Sequence, residues 1–449
     1  MHAVTNASNI IEQIIVLLRA DELEQAAHLL GNLHPAEIAH VLQSLPPEER
    51  ELVWPHVPSE HEGEVLLHLP DDVRTVLISK MEPQALVAAT ESLDTDDLAD
   101  ILPEMPQDVI QELLLTLEHQ ERERLESVLS YPEDSAGGLM DLETVVVRAD
   151  ITLDVVLRYL RWRGAMPETT DTLFVVNRDN KYLGLLPLTD LLTSDPDLTV
   201  AEIMRRDIDG IPADMTAREV AALFERRDLV TAPVVDENDR LLGRITIVDV
   251  VDVIRDEADH DFLSMAGLNE EADMFAPVVM STRRRAVWLG INLLTALLAS
   301  WVIGLFEVTI EKLVALAVLM PIVASMGGIA GSQTLTLVIR GLALGQISDS
   351  NARLLLFKEL SVGVLNGLLW ALVIAVVAGA WFENLQLSLV IALAVIINLV
   401  VAAIAGATIP LLLRRFGADP ALAGGVVLTT ITDVIGFFAF LGLAALYLV

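Results

Sequence analysis

Between residues 33 and 117 an apolar side chain recurs every twelve positions: Leu33, Leu45, Val57, Leu69, Met81, Leu93, Met105 and Leu117. Each of the first seven is followed by a turn or cap residue (Pro35, Pro46, Pro58, Pro70, Pro83, Asp94, Pro106) and then by an acid or Gln (Glu37, Glu48, Glu60, Asp72, Gln84, Asp96, Asp108). A cap, an acidic first turn and then apolar positions predict a succession of short helices. Helices of about two turns do not hold themselves up in water. Neighbours are therefore expected to stack into a solenoid over a shared apolar seam, a surface that binds or transmits and offers no catalytic pocket.

From residue 140 the pattern changes. Met140, Asp150 and Thr152 return as Met204, Asp214 and Thr216, and FVVNRDNKYLGLLPLTDLL (174–192) returns as PVVDENDRLLGRITIVDVV (233–251). Gly184 aligns with Gly243 and Asp190 with Asp249. β-Branched runs alternate with helical stretches and close on strand, glycine turn, strand and helix, which predicts two α/β modules of about 60 residues each. The arrangement resembles tandem CBS domains, named for cystathionine β-synthase. In that family a Gly-h-h-Thr/Ser-x-x-Asp ending holds the ribose and phosphates of an adenine nucleotide such as ATP. The second copy keeps the pattern as Gly243, Thr246 and Asp249, whereas the first has Pro187 in place of the hydroxyl ahead of Asp190. Many such pairs serve only as dimerisation units, so nucleotide binding and dimerisation both stay open.

Past residue 285 the windows 286–306, 313–339, 360–382 and 384–413 carry no charge, and 420–449 carries only Asp433. A bilayer core takes roughly 20 apolar residues as helix, so five membrane spans are expected. Arg283, Arg284 and Arg285 precede the first, Arg340, Arg353 and Lys358 lie between the second and third, and Arg414 and Arg415 between the fourth and fifth. All three clusters fall on one side, which the positive-inside rule makes cytoplasmic. Glu307, Glu311, Lys312 and Glu383 fall on the other side, where the C-terminus is expected as well.

Charge sharpens this division. The 449 residues carry 29 Lys plus Arg against 64 Asp plus Glu, net −35, yet are 53% hydrophobic. Residues 1–285 hold 23 basic and 57 acidic side chains, whereas 286–449 hold 6 and 7. The apolar content rules out a disordered acidic chain, and such a surface repels nucleic acid. Absence of Cys removes disulfides, Cys-type zinc sites and thiol catalysis. Met1 to Ala20 lacks a basic n-region and a small-residue cleavage site, so the acidic part is expected to stay on the side of synthesis.

An ionised carboxylate inside hydrocarbon persists where it faces water, an ion or a partner. Asp433 is read as the only one deep in a span, within LTTITDVIGFF, where Thr429, Thr430 and Thr432 supply hydroxyls and Gly436 leaves space. A protonated Asp hydrogen-bonded between helices is the alternative. The second span adds Pro321, Gly327, Gly328 and Gly331, expected to interrupt the helix and free carbonyls or else to be close-packing positions, and Ser332 and Gln333 as neutral oxygen donors. With no His or Cys after residue 260, the spans offer oxygen alone. Hard cations such as Mg²⁺ and Ca²⁺ suit that set. One carboxylate per chain builds no dehydrated cage, whereas a symmetric dimer would bring two Asp433 to a shared axis around a largely hydrated ion.

The acidic solenoid, YPEDSAGGLM (131–140), the paired CBS modules, an acidic connecting helix and five spans with GGIAGSQ and TTITDVIGF together resemble the MgtE magnesium channels. The expected fold is multi-domain: an all-α superhelical N-terminal domain (1–131), two α/β CBS modules (132–200 and 201–261), a connecting, plug-like helix (262–284) and an α-helical transmembrane bundle of five helices (285–449). The resemblance implies a homodimer in the cell (inner) membrane with a Mg²⁺ pathway lined mainly by the second and fifth spans. It puts Asp433 at the ion site, and Thr429, Thr430, Ser332, Gln333, Gly328 and Gly331 are the candidate oxygen donors and packing positions beside it on these two spans. Many relatives carry Asn where this chain has Ser332.

Two acids about 4 Å apart repel by roughly 1 kcal/mol in water and about 4 at an effective dielectric of 20, whereas a divalent ion between them makes the contact attractive. Asp96 and Asp100 stand four apart on one expected helix face. Asp249, Asp252, Asp256, Glu257, Asp259 and Asp261 follow the second module, Asp228 lies within it, and Asp419 heads the fifth span. The expectation, supported by the resemblance, is that cytosolic Mg²⁺ bridges such acids and favours a closed pore. His260 stands where relatives often have a carboxylate.

Enzyme readings lack their residues. An intramembrane metalloprotease needs His-Glu-x-x-His within a span, but all nine His lie at or before position 260 and His61-Glu62 lacks the second His. A rhomboid-like hydrolase needs a membrane His base. A passive anchor would need neither Asp433 nor the glycines of the second span. Transport of Co²⁺ or Ca²⁺, or efflux of Mg²⁺, stays open beside uptake of Mg²⁺.

Overall fold

The computed structural model describes residues 13–14, 16–17, 20, 22–90, 93, 95–117, 119–167, 169–268, 273–348 and 350–449; the side chains of 23, 95, 96, 112, 116, 119–121, 123 and 124 lie outside that description. The chain forms two compact units, Met1–Ala258 with Glu271–Pro277, and Asp259–Glu270 with Val278–Val449.

The first unit opens with the short helices Leu23–Leu30, Pro35–Gln43, Pro47–Val53, Glu62–Leu67, Asp71–Ile78, Pro83–Thr90, Thr95–Ile101, Gln107–Thr116 and His119–Val128. Leu45, Val57, Leu69 and Met105 of the twelve-residue series are buried, and Leu33, Met81, Leu93 and Leu117 pack against the same core. The prolines act at helix starts: Pro35 takes the first position of its helix behind His34, and Pro46, Pro70 and Pro106 are themselves N-caps. At the first of these His34 Nδ1 accepts from Ala36 N–H at 3.3 Å, while Glu37 accepts from His34 N–H at 3.1 Å. Two donors that would be orphaned at the helix end are thereby satisfied.

Two three-stranded sheets follow, with strands β1 (Val146–Arg148), β2 (Thr172–Val176) and β3 (Tyr182–Pro187) in one, and β4 (Ile211–Pro212), β5 (Thr231–Val235) and β6 (Leu241–Thr246) in the other. In each, the first pair is parallel and the second antiparallel, and the register shifts at Val175/Val176 and at Val234/Val235. The matched irregularities bear out the internal repeat. Asn180 and Asp239 hold left-handed backbone (φ 60° and 61°) in the two hairpin turns. These turns pair with each other, Tyr182 N–H donating to Asp239 O at 2.9 Å and Leu241 N–H to Asn180 O at 3.0 Å.

Sequence order and packing part company at the module boundary. Residues 134–141 precede the first sheet but bond to the second module: Ala136 N–H to Met215 O at 2.7 Å, Gly137 N–H to Ala213 O at 2.8 Å and Ala217 N–H to Asp134 O at 2.8 Å. A largely buried ion pair between Asp141 and Arg244 (2.7 Å) closes this strap. Conversely, Ala201 N–H donates to Ala149 O at 3.0 Å and Arg205 N–H to Leu185 O at 2.7 Å, so the start of the second expected module completes the first.

The expected continuous helix over 262–284 is not formed. The helix Ile247–Ser264 ends in a turn in which Gly267 has φ 68° and lies too close to the Trp288 ring to carry a side chain. The next helix starts at Val278, directly after Pro277. Left-handed glycine closes a helix, and proline favours starting another. Asp273 between them is bound within the first unit, where the buried Arg50 donates to its two carboxylate oxygens at 2.6 and 2.7 Å.

Among the described residues the second unit has five helices long and apolar enough to span a membrane: Val278–Gly304, Ala315–Ala343, Ala352–Phe382, Leu385–Arg415 and Pro420–Tyr447. The fourth is the hub, packed against the second, third and fifth. Small residues allow the approach: a Cβ on Gly363 would meet Ala403 at 2.6 Å, and one on Gly406 would meet the Gly331 carbonyl at 2.7 Å.

Candidate functional site: a polar stripe across the second and fifth spans

The second span is a continuous helix despite Pro321, which corrects the expected interruption. Pro321 sits early in the helix, where its missing N–H removes a single bond to the preceding turn, and two of the three glycines are packing positions rather than breaks. A Cβ on Gly327 would overlap Asn398, and one on Gly331 would meet Leu428 at 2.8 Å, whereas Gly328 faces open space. Gly331 is thus a buried contact. Ser325, Ser332, Gln333 and Thr336 are exposed along this otherwise apolar helix.

On the fifth span Gly425 faces open space, Thr429 is exposed and Asp433 is half-buried, four residues apart in succession and hence on one face. Thr429 donates to its own helix at Gly425 O (3.0 Å) and Val426 O (3.1 Å), Thr430 to Val426 O (2.7 Å) and Thr432 to Leu428 O (3.1 Å). With their protons turned into the helix, these hydroxyls keep oxygen lone pairs for a cation. Thr432 is fully buried and points into the bundle.

Glu359 and Asn398 are among the buried polar side chains that had no place in the sequence reading. Glu359 lies one residue before a charge-free window, but the third helix begins at Ala352 and encloses it, so Asp433 is not the lone carboxylate within these helices. Glu359 accepts from Lys358 Nζ at 2.8 Å and Thr334 Oγ1 at 3.2 Å. Asn398, fully buried in the fourth span, donates to Val323 O at 2.8 Å. An uncharged amide in a Leu- and Val-rich run raises no charge signal; the available clue was simply a polar residue among apolar ones.

The expected sensor acids separate into groups. Asp100 still touches solvent but is densely surrounded. That desolvation, with Asp97, Glu133 and Asp249 adding repulsion against an opposing Arg74, pushes its carboxyl up to about 7. The solenoid, the residue just ahead of the strap and the second module thus each contribute an acid around it. Burial also raises Asp249, against the lowering effect of bonds from Thr246, whose N–H and hydroxyl donate to it at 2.7 and 2.9 Å. Gly243 lies directly under the strap, where a Cβ would meet Asp141 O at 2.7 Å. In the first module Asp190 is instead paired with Arg205 at 2.9 Å.

Other acids have basic or structural partners: Glu257 with Arg218, Asp252 and Asp256 with Arg255 (each 3.5 Å). Asp228 caps its helix in left-handed conformation. In the second unit Asp419 caps the fifth span, accepting from Ala421 and Leu422 N–H. It also meets His260 Nε2 at 3.3 Å. Asp259 and Asp261 flank His260 in sequence. The Asp96 side chain lies outside the described residues. Among the described residues no three His, Asp or Glu side chains converge in a metal-ligating arrangement.

The family model described as a divalent cation transporter matches residues 320–443, that of the MgtE intracellular N domain matches 33–134, and that of the CBS domain matches 136–197 and 200–256. The magnesium transporter MgtE of Thermus thermophilus is 35% identical over 360 residues, 79% of each chain. That of Bacillus subtilis is 28% identical over 439 residues, 98% of this chain and 97% of its own. A solved structure, the cytosolic domain of the Mg²⁺ channel MgtE in complex with ATP, is 33% identical and covers 54% of this chain and 99% of its own, with TM-score 0.48.

Proposed function

This chain belongs to the MgtE family of magnesium transporters, multi-pass membrane proteins, and we propose that it admits Mg²⁺ to the cytosol through a homodimer, with Asp433 at the ion site. The observation that carries this reading is the stripe of Gly425, Thr429 and Asp433 on the fifth span together with Gly328, Ser332 and Gln333 on the second, polar or bare surface on helices otherwise built for lipid. Mg²⁺ gives up its waters reluctantly. A ring of hydroxyls and carbonyls that receives a hydrated ion, with two symmetry-related carboxylates supplying charge, fits that chemistry better than a closed cage. Glu359, already held by Lys358 and Thr334, does not compete for the ion.

Cytosolic Mg²⁺ closes this pathway by binding the acids around Asp100 and Asp249 in the first unit and those around Asp419 in the second. Moving a gate from 1:99 to 99:1 takes about 5.5 kcal/mol of differential binding, which several weak sites supply jointly. The Thr246–Asp249 pair at the end of β6 supports an adenine nucleotide at the second CBS module as a further regulator. The C-terminus then faces outside, opposite the three Arg and Lys clusters.

The deciding measurement is Mg²⁺ uptake into proteoliposomes by the wild type and Asp433→Ala, with Ca²⁺ and Co²⁺ as competitors. The expected result is loss of at least about tenfold in uptake, the scale on which one charged group in a low-dielectric site acts. Equal uptake by both proteins refutes the site, and stronger competition by Co²⁺ or Ca²⁺ than by added Mg²⁺ assigns the pathway to that ion.

A further inference from the structure

Asn398 occupies the crossing of the second, fourth and fifth spans, fully buried. Its Nδ2 donates to the Val323 carbonyl at 2.8 Å. In a regular helix that carbonyl also accepts from the N–H of the residue four later, Gly327, whose side chain would ordinarily shield it from the flank. Gly327 has none, and an ideal Cβ there would overlap the Asn398 amide. On the opposite side the amide abuts Gly436, where a Cβ would stand 2.7 Å from Nδ2 and 3.0 Å from Cγ. Asn398 Oδ1 makes no hydrogen bond among the described residues, and its neighbours include the faces of these two glycines.

Two helices have thus given up a side chain to admit one carboxamide. Gly327 lies one residue before Gly328 and about a turn and a half before Ser332 and Gln333, while Gly436 lies about one turn after Asp433. Slippage of either span past the fourth would move one half of the polar stripe relative to the other. We propose that Asn398 is a positioning residue for ion passage: its carboxamide, hydrogen-bonded to Val323 and wedged between Gly327 and Gly436, fixes the axial offset between Ser332–Gln333 and Asp433 and so tunes the preference for Mg²⁺ over larger or softer divalent cations. The inference rests on the proposed pathway at Asp433.

The experiment compares wild type, N398L, G327A, G327A/N398A and D433A in proteoliposomes, measuring the concentration dependence of Mg²⁺ uptake and its competition by Ca²⁺ and Co²⁺. Leu shares the branching of Asn at Cγ and has no polar atom, so N398L loses the hydrogen bond, although its larger side chain also tightens the packing against Gly327 and Gly436. Expected is a ratio of Ca²⁺ or Co²⁺ competition to Mg²⁺ uptake shifted about fivefold or more, the scale of one buried hydrogen bond. G327A, whose methyl blocks the approach to Val323 with Asn398 still present, is expected to shift the ratio the same way. The double variant refills the vacated space without restoring the bond and is expected to stay shifted; it carries the test should N398L not fold. A wild-type ratio in N398L, or its full return in the double variant, makes Asn398 a packing residue and overturns the proposal. Wild-type uptake by D433A would instead sink the pathway itself.

Discussion

Asp100 illustrates how a crowded acid can cost the fold that carries it. Its carboxyl is raised by desolvation and by Asp97, Glu133 and Asp249 to about 7. Between that value and the ordinary carboxylate range the folded chain therefore holds a proton that the unfolded chain has released. Stability contributed this way is present at low pH and is lost as pH rises through the window. Asp100→Asn should match the wild type near pH 4 and unfold at a higher temperature than the wild type at pH 8, in metal-free buffer, as followed by circular dichroism of the full-length protein. An unchanged pH dependence in the variant would mean that the crowding around Asp100 is relieved in solution. Under the proposed gating, Mg²⁺ supplies the relief in the wild type, since an ion between acids replaces the proton. Residues of this kind were legible in part: Asp433 and Asp100 stand out because charge is rare in a span or dense on a short helix. Asn398 and Glu359 did not, one lacking charge and the other lying at the edge of a window.

At the scale of elements, legibility followed the reach of the physical signal. The twelve-residue period carried its own punctuation, prolines and first-turn acids, and the structure places the periodic side chains in or against one core. Leu45 is fully buried there. Leu45→Ala should cost about 2–5 kcal/mol and, because each short helix depends on its neighbours, expose several at once. Hydrogen exchange on the full-length protein should show Pro35–Gln43 and Pro47–Val53 losing protection together; loss confined to a single helix would argue against the shared seam. The strap over 134–141 was not legible, since it is held mostly by main-chain bonds that leave no mark in side-chain pattern, and Arg50–Asp273 joins residues far apart in sequence. The connecting segment was expected as one helix from the resemblance and its acidic character, while Gly267 and Pro277 set helix ends locally.

For the whole molecule, the excess of acid is the lever. With 57 acidic and 23 basic side chains in residues 1–285, the ion pairs of the solenoid and modules leave a large net negative field that opposes compaction. Rising Mg²⁺ should therefore slow limited proteolysis within 1–285 progressively over the millimolar range, while equal ionic strength supplied by a monovalent salt should protect much less. Equal protection by the two salts would reduce the effect to screening and remove the sensor. The fold class was readable at this scale because three kinds of period, twelve residues, about sixty and the length of a span, occupy separate stretches of chain.

The fourth span has a consequence of another kind, for how the protein is made. Its most apolar stretch has the highest mean hydropathy among the five helices and is also the most enclosed, with more than half of it buried by its neighbours. Lipid and a packed bundle both exclude water, so extreme apolarity here secures entry into the bilayer at a time when no neighbour from the fifth span has yet been synthesised. Until then the Asn398 amide must wait in hydrocarbon without its second glycine wall, one polar group carried by a surplus of Leu, Ile and Val. The surplus that looks redundant in the finished bundle belongs to that interval of assembly.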